Sequence, residues 1–405
     1  MRRPRVLIVK PVLPYPPDQG TRVVSFAAIE ALREAFELTV LARRLSAEDD
    51  AHARSLEGMG VRVVTVTPAN RRSAPARVAY RMAYLARSLF GGRSLKSLYD
   101  CPGAFVKRAR ELAREPFDLV ILEYWQLYPL QGVFPRGRTV LLTHDIDQEV
   151  NRDRAGLERN PLRRAGAALR NAQERREETR AYRDAATVWA LTTRDAESVR
   201  ALSPRSAVAV MPFGLRAEAF VETPPRDSRE VLFLGAMGAV FNRDALVHLA
   251  RDIFPRLADL RDLRLTIVGG ALPEGARALA GDRRVTVAGH TPDPHVYLRR
   301  AACLIVPLRY GGGLRIRIIE AIAAGLPVVC SPVAVAGMDL REGEEVLVAR
   351  TPGEYRVWIE RVLDDPAFAA RIAHCAREAV RLRYGPVARG EGLRRLVREA
   401  IAAGK

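Results

Sequence analysis

Thirteen short apolar runs, each separated from the next by polar or helix-patterned sequence, set the tightest limit on what this chain can fold into. Seven come early: Val6–Lys10, Leu38–Ala42, Val61–Val66, Leu119–Leu122, Val140–Thr143, Val188–Leu191 and Val208–Met211. Six follow: Val231–Leu234, Leu265–Val268, Val285–Val287, Leu304–Val306, Val328–Cys330 and Val346–Val348. The runs are rich in Val, Ile and Leu and mostly continuous, as strands covered on both faces of a parallel sheet read. Helical patterns between them place the chain in the α/β class. Single cores stop growing near about 250–300 residues, so 405 residues call for two domains. The polar segment Glu222–Glu230, with its Pro224-Pro225 pair, is the best linker. We therefore expect two Rossmann-like, doubly wound domains, 1–222 and 223–385, with 386–405 a C-terminal helix able to pack back on the first. Sheets of this kind bind ligands beyond their C-terminal strand ends, so the expected active site is a cleft between the domains.

Several classes can be set aside. No stretch approaches the ~18 apolar residues of a membrane span. The N-terminal apolar run, Val6–Val9, is broken by Lys10 and no cleavage site follows, so it reads as a first strand of a cytoplasmic protein. Cys101, Cys303, Cys330 and Cys375 have neither CxxC nor histidine spacing, so no metal site or disulfide framework is expected. Cys303 and Cys330, inside apolar runs, read as small buried hydrophobes. The formal charge of +18 favours anionic partners. No helix-turn-helix, zinc-finger or aromatic RNA-binding signature points to nucleic acid. Arg152–Asp184, with Arg163, Arg175, Arg176 and Arg180 among Glu174, Glu177 and Glu178, reads as one solvated helix laced with ion pairs, or as a membrane- or partner-binding face.

The segment Val306–Ser331 (VPLRYGGGLRIRIIEAIAAGLPVVCS) carries the most chemistry. A strand ends near Pro307, Gly311, Gly312 and Gly313 permit close backbone approach, and a helix runs from about Leu314 to a cap at Gly325. Backbone N–H groups and the helix N-terminus form an anion site there. Arg315 and Arg317 in the first turn or so oppose the helix dipole by roughly 0.3–1 kcal/mol each, a placement that a bound diphosphate makes favourable. A tight turn carrying surface arginines is the alternative. Glu320, on the same apolar helix, needs a partner; Arg317 or the two hydroxyls of a ribose would serve.

This segment resembles the donor-binding signature of retaining GT-B glycosyltransferases of family 4, in the branch with a GGGxRxK/RxxE motif. The resemblance implies that Glu320 holds the ribose of a nucleotide sugar. It implies that Gly312, Gly313 and Leu314 hold the donor sugar through their backbone, since the family's first glutamate falls at Gly312. It further implies roles for Gly235 and Met237 in lining the donor pocket, for Asn242 as a helix cap and for Arg243 near the phosphates. Gly269 ends the next strand, and His290 and Thr291 would lie beside the base. In the first domain Gly20 matches a loop beside donor phosphate and acceptor. His144, in Thr143-His144-Asp145, matches a histidine that contacts the transferred sugar. Glu123 and Asp145 are further cleft candidates.

By the same resemblance the chemistry retains anomeric configuration. Arg315 and Arg317 would stabilise the leaving diphosphate in place of a metal, with domain closure as an expected step. No cofactor or metal is expected; the nucleotide sugar is a co-substrate. The acceptor stays open between a lipid-linked sugar, a polysaccharide and a small metabolite, as does peripheral contact with the inner face of the plasma membrane. A dehydrogenase fits poorly, because KPVLPYPPDQG lacks GxGxxG. A GT-B nucleotide-sugar epimerase and a non-catalytic anion- or nucleic-acid-binding protein are the other readings.

Overall fold

A computed structural model describes residues 2–67, 93–158, 160–220, 228–291 and 293–404. All thirteen apolar runs coincide with strands. The first seven are β1 (Arg5–Val12), β2 (Glu37–Arg43), β3 (Arg62–Val66), β4 (Leu119–Glu123), β5 (Thr139–Leu142), β6 (Thr187–Ala190) and β7 (Ala207–Val210). The rest are β8 (Glu230–Leu234), β9 (Arg264–Val268), β10 (Val285–Gly289), β11 (Cys303–Val306), β12 (Val328–Cys330) and β13 (Leu347–Val348). Every pair of neighbouring strands is parallel.

The chain divides into two compact units. The first comprises Met1–Phe213, Gly312–Leu314 and Arg389–Lys405; the second comprises Gly214–Gly311 and Arg315–Ala388. The division falls at Phe213/Gly214, and most of the polar segment expected to link the domains (222–227 of 222–230) lies outside the described residues.

The first unit is a seven-stranded sheet in the order β3-β2-β1-β4-β5-β6-β7. Val6, Leu7 and Val9 of β1, Leu119 and Leu122 of β4 and Val140–Leu142 of β5 are all almost completely buried, which is why these runs do not alternate with polar residues. Helix α1 (Gly20–Leu32) follows β1, and α2 (Asp147–Leu157) and α3 (Pro161–Asp184) follow β5. Helix α7 (Leu393–Ala403) completes this unit: Leu393, Val397 and Ile401, spaced by four, are buried, and Arg394 donates to the carbonyl of Ala31 at 2.7 Å. The second unit is a six-stranded sheet in the order β10-β9-β8-β11-β12-β13. Its helices α4 (Val240–His248), α5 (His295–Arg300) and α6 (Ile316–Ala323) follow β8, β10 and β11.

The charged stretch Arg152–Asp184 departs from the single solvated helix expected of it. It is broken before Pro161, which starts α3 because proline is accommodated in a first turn but not in a helix interior. Glu177 and Glu178 face inward. Glu177 accepts from the backbone N–H of Ser94 at 2.8 Å. Glu178 accepts from the N–H groups of Asp147 at 2.9 Å and Gln148 at 2.8 Å, satisfying orphan donors at the start of α2. Burial, with Asp147 nearby, pushes its carboxyl up to about 8. With the acids turned in, Arg152, Arg154, Arg164, Arg170, Arg175, Arg176, Arg180 and Arg183 are left on the exposed side. The side chain of Arg163 lies outside the described residues.

Candidate active site

In each sheet the chain reverses its direction of winding once, between β1 and β4 in the first unit and between β8 and β11 in the second. Residues just past those strand ends are where an open parallel sheet offers a ligand free backbone groups.

In the second unit the loops after β8 and β9 are held against each other by main-chain bonds. The N–H of Gly235 donates to the carbonyl of Val268, and that of Met237 to the carbonyl of Gly269, both at 3.0 Å. Gly269 has φ +136°, and a Cβ there would stand 1.9 Å from the Gly235 carbonyl oxygen. Only glycine permits that approach. Asn242 is not the helix cap that the resemblance implies. Ala239 occupies the cap position of α4, and Asn242, three residues in, donates to the carbonyl of Ala236 at 3.0 Å. Arg243 turns onto the carbonyls of Met237 (2.7 Å) and Gly238 (3.1 Å). His290 is exposed after β10, and Thr291 is engaged locally, its hydroxyl accepting from the N–H of Asp293 at 3.3 Å.

The bend after β11 has Gly311 at φ +149° and Gly313 at φ +69°. Helix α6 begins at Ile316, later than the Leu314 expected, because Arg315 occupies the cap position with non-helical backbone (φ −85°, ψ 82°). Its guanidinium folds back so that a Cβ on Gly311 would meet it at 2.2 Å, and it stands 5.0 Å from the centroid of the Phe241 ring. Gly325, at φ +71°, ends the helix turn, the N–H of Leu326 returning to the carbonyl of Ala321 at 2.9 Å. Arg317 and Glu320 are half-buried on α6. Burial raises the Glu320 carboxyl, opposed by the charges of Arg317 and His295. His295, the first residue of α5, carries no motif that could have singled it out.

In the first unit, Lys10, Glu123 and His144 meet at the ends of β1, β4 and β5, and all three are almost completely buried. The register pairs Val9 with Leu122, so Lys10 comes beside Glu123. Lys10 Nζ donates to Glu123 Oε2 at 2.8 Å, to the Thr21 carbonyl at 3.0 Å and, in a short bond, to Ser25 Oγ. Ser25 Oγ donates to the same Glu123 oxygen at 2.6 Å, and His144 Nε2 lies 3.0 Å from it. Burial alone would raise the Glu123 carboxyl, but Lys10 and His144 outweigh it and hold it near 2. Burial also lowers the pKa of His144, assisted by the charge of Lys10 and resisted by Glu123. Tyr124 stacks on the His144 ring at 4.5 Å between centroids. Its own φ of +86° is strained for a side-chain-bearing residue, at a cost on the order of 1–3 kcal/mol. His144 Nδ1, also buried, has no hydrogen-bond partner among the described residues, which costs about 1–3 kcal/mol unless something else binds it.

Gly20 is exposed as the first residue of α1. Asp145 is half-buried, its carbonyl accepting from Thr143 Oγ1 at 2.7 Å. Gly312–Leu314 group with the first unit, where a Cβ on Gly313 would fall 2.1 Å from the His144 carbonyl oxygen. Lys10 and Ser25 escaped the sequence reading; the lysine closing an apolar run was the available signal, and it was read only as the end of a strand.

Two doubly wound parallel sheets, the second with glycine turns at its strand ends, are the frame of a GT-B glycosyltransferase. Residues 19–214 match the family described as glycosyl transferase 4-like domain, and residues 228–365 match glycosyl transferases group 1. The D-inositol 3-phosphate glycosyltransferase of Acidothermus cellulolyticus is 26% identical over 382 residues, covering 86% of this chain and 84% of that protein. Among solved structures, sucrose-phosphate synthase from Thermosynechococcus elongatus superposes with a TM-score of 0.67 at 19% identity, covering 99% of this chain and 100% of that one. HepE from Anabaena in complex with UDP-glucose gives 0.65 at 16% identity, covering 98% and 99%. The two matches together span most of the chain, which is a glycosyltransferase, an enzyme that transfers a sugar from a nucleotide-sugar donor.

Proposed function

We propose that the donor is a nucleoside diphosphate sugar held at the β8, β9 and β11 ends of the second unit, and that transfer retains anomeric configuration. The observation that carries this reading is the glycine bend Gly311–Gly313 running into α6 at the reversal point of the sheet, with Arg315, Arg317 and Glu320 behind it. In this reading Arg315 and Arg317 take the diphosphate, Glu320 the ribose hydroxyls, and His290 and Thr291 the base. Gly235, Met237 and Gly269 form the floor, and Gly20, with the backbone of Gly312, Gly313 and Leu314, faces phosphate and sugar. His144 contacts the transferred sugar. Cations fixed beforehand at the leaving diphosphate supply the electrostatic part of catalysis without reorganising during the reaction. The UDP-glucose complex of HepE makes UDP the first nucleotide to try.

Thermal unfolding in a panel of nucleoside diphosphates tests this. A ligand at about 100 times its Kd adds about 2.7 kcal/mol, a rise of several degrees. A panel in which no diphosphate moves the transition would sink the proposal. The anomeric configuration of the product, read from its sugar proton couplings, decides between retention and inversion.

Two further outcomes follow. Donor turnover is expected to be unchanged by EDTA, since guanidinium groups take the place of a metal; complete loss would refute that assignment. Peripheral binding to acidic membranes is also proposed, and the eight exposed arginines of α2 and α3 support it. Each basic residue near such a surface contributes about 1 kcal/mol, and the effect falls off with salt. Co-sedimentation with phosphatidylglycerol vesicles at low ionic strength is expected, weakened by Arg175→Glu/Arg176→Glu and abolished at high salt. Equal recovery with neutral and acidic vesicles would refute it. Among the described residues no helix is long and apolar enough to cross a membrane.

A further inference from the structure

The buried group at the ends of β1, β4 and β5 contains one acceptor over-supplied with donors and one ring nitrogen with none. Three groups converge on Glu123 Oε2: Lys10 Nζ at 2.8 Å, Ser25 Oγ at 2.6 Å and His144 Nε2 at 3.0 Å. An ionised carboxylate can only accept, so the histidine must present a hydrogen on Nε2. All three hydrogens of the Lys10 ammonium have acceptors, in Glu123, Ser25 and the Thr21 carbonyl. The pair is therefore balanced as cation and anion, and a second positive charge on the ring would be buried without a counter-charge. The ring stays neutral and Nδ1 carries a lone pair. The stacked Tyr124 ring, 4.5 Å away and inclined by 21°, limits how the imidazole can turn.

We propose that Lys10 and Glu123 are positioning residues that lock His144 in the Nε2–H tautomer, so that Nδ1 acts as the acceptor for a hydroxyl group of the bound sugar. Nδ1 is buried and has no hydrogen-bond partner among the described residues, so the proposal gives a use to an atom the fold otherwise leaves unsatisfied. It makes the site selective in one direction. A sugar bearing a hydroxyl at that point donates to Nδ1, while a deoxy or O-methyl sugar leaves the lone pair buried and unmet. The part concerning the sugar rests on the function proposed above; the tautomer does not.

The test begins without substrate. In the full-length protein labelled with 15N-histidine, the His144 signals are assigned by their loss in His144→Gln. We expect a pyrrole-type shift for Nε2 and a pyridine-type shift for Nδ1, unchanged between pH 6 and pH 8. The Nδ1–H form or an imidazolium would overturn the proposal. Removing only one of Lys10 and Glu123 strands a buried charge and can unfold the chain. The informative variant is therefore the double change Lys10→Met/Glu123→Gln, which removes both. An amide can donate or accept, so the tautomer is released and the two shifts move toward each other. A double variant that stays folded, with the other histidines unmoved, and keeps a pure Nε2–H spectrum would show that the pair does not set the ring. The second arm uses whichever nucleotide sugar the wild type turns over. The amide of Asn reaches the place of Nδ1 and that of Gln the place of Nε2, so His144→Asn should retain at least fivefold more turnover than His144→Gln. The opposite order would overturn the sugar contact through Nδ1. If no nucleotide sugar is turned over, the donor reading fails while the tautomer result still stands or falls on the spectra.

Discussion

Alanine at position 269 is expected to destabilise the second unit by about 2–5 kcal/mol and to abolish donor binding with it. The added methyl carbon would sit 1.9 Å from the Gly235 carbonyl oxygen and 2.5 Å from its carbonyl carbon, both main-chain atoms that cannot swing aside. Overpacking of this kind costs about 1–3 kcal/mol, and a φ of +136° adds about 1–2 kcal/mol for a residue with a Cβ. For a unit of this size about 2–4 °C is lost per kcal/mol, so the melting transition should fall by about 10 °C. Relief would require the β8 loop to move away, which would pull Gly235 and Met237 out of place. Gly281→Ala is the control, since a Cβ there meets nothing within 4 Å. Similar melting curves for the two variants would disprove the argument.

Removing the Glu320 carboxylate is expected to cost at least tenfold in donor turnover without loss of stability. Hydrogen bonds to charged groups contribute about 1.5–3 kcal/mol, and each 1.4 kcal/mol is tenfold in rate. Arg315→Ala should fall at least as far, because it removes a cation from the diphosphate. Stability runs the other way for Glu320. Burial raises its carboxyl in the folded state, so the folded protein holds the proton more tightly than the unfolded chain. Stability from this group is then fully present at acid pH and declines as pH rises through its folded value. Relative to wild type, Glu320→Ala should gain in melting temperature between pH 4 and pH 7. Unaltered turnover in both variants would remove them from the donor site, and a destabilised Glu320→Ala would make the carboxylate a structural partner instead.

The fold was legible in the sequence for a specific reason. Strands covered on both faces, such as Leu119–Leu122, leave continuous apolar runs, and the helices between them force parallel pairing. The glycine bend was legible because three consecutive glycines have few uses. What escaped depends on contacts between distant residues. Lys10 and Glu123 are far apart in the chain and meet only because β1 and β4 pair in register. Asn242 sits at a spacing suited to a cap, yet Ala239 starts the helix and the amide turns to the Ala236 carbonyl. The inward turn of Glu177 and Glu178 could not be read from a stretch whose charges fit a solvated surface, since only the fold brings Ser94, Asp147 and Gln148 to them. The break before α3 had a local signal in Pro161, which the expectation of one continuous helix passed over.

The return of Leu393–Ala403 to the first unit has a consequence for how the protein is made. Chains emerge from the ribosome at about 5–20 residues per second, so this helix appears on the order of tens of seconds after the strands it helps to cover. Over that interval the apolar surface awaiting Leu393, Val397 and Ile401 stands open to solvent and to chaperones, and a nascent chain interrupted before Leu393 would keep it open.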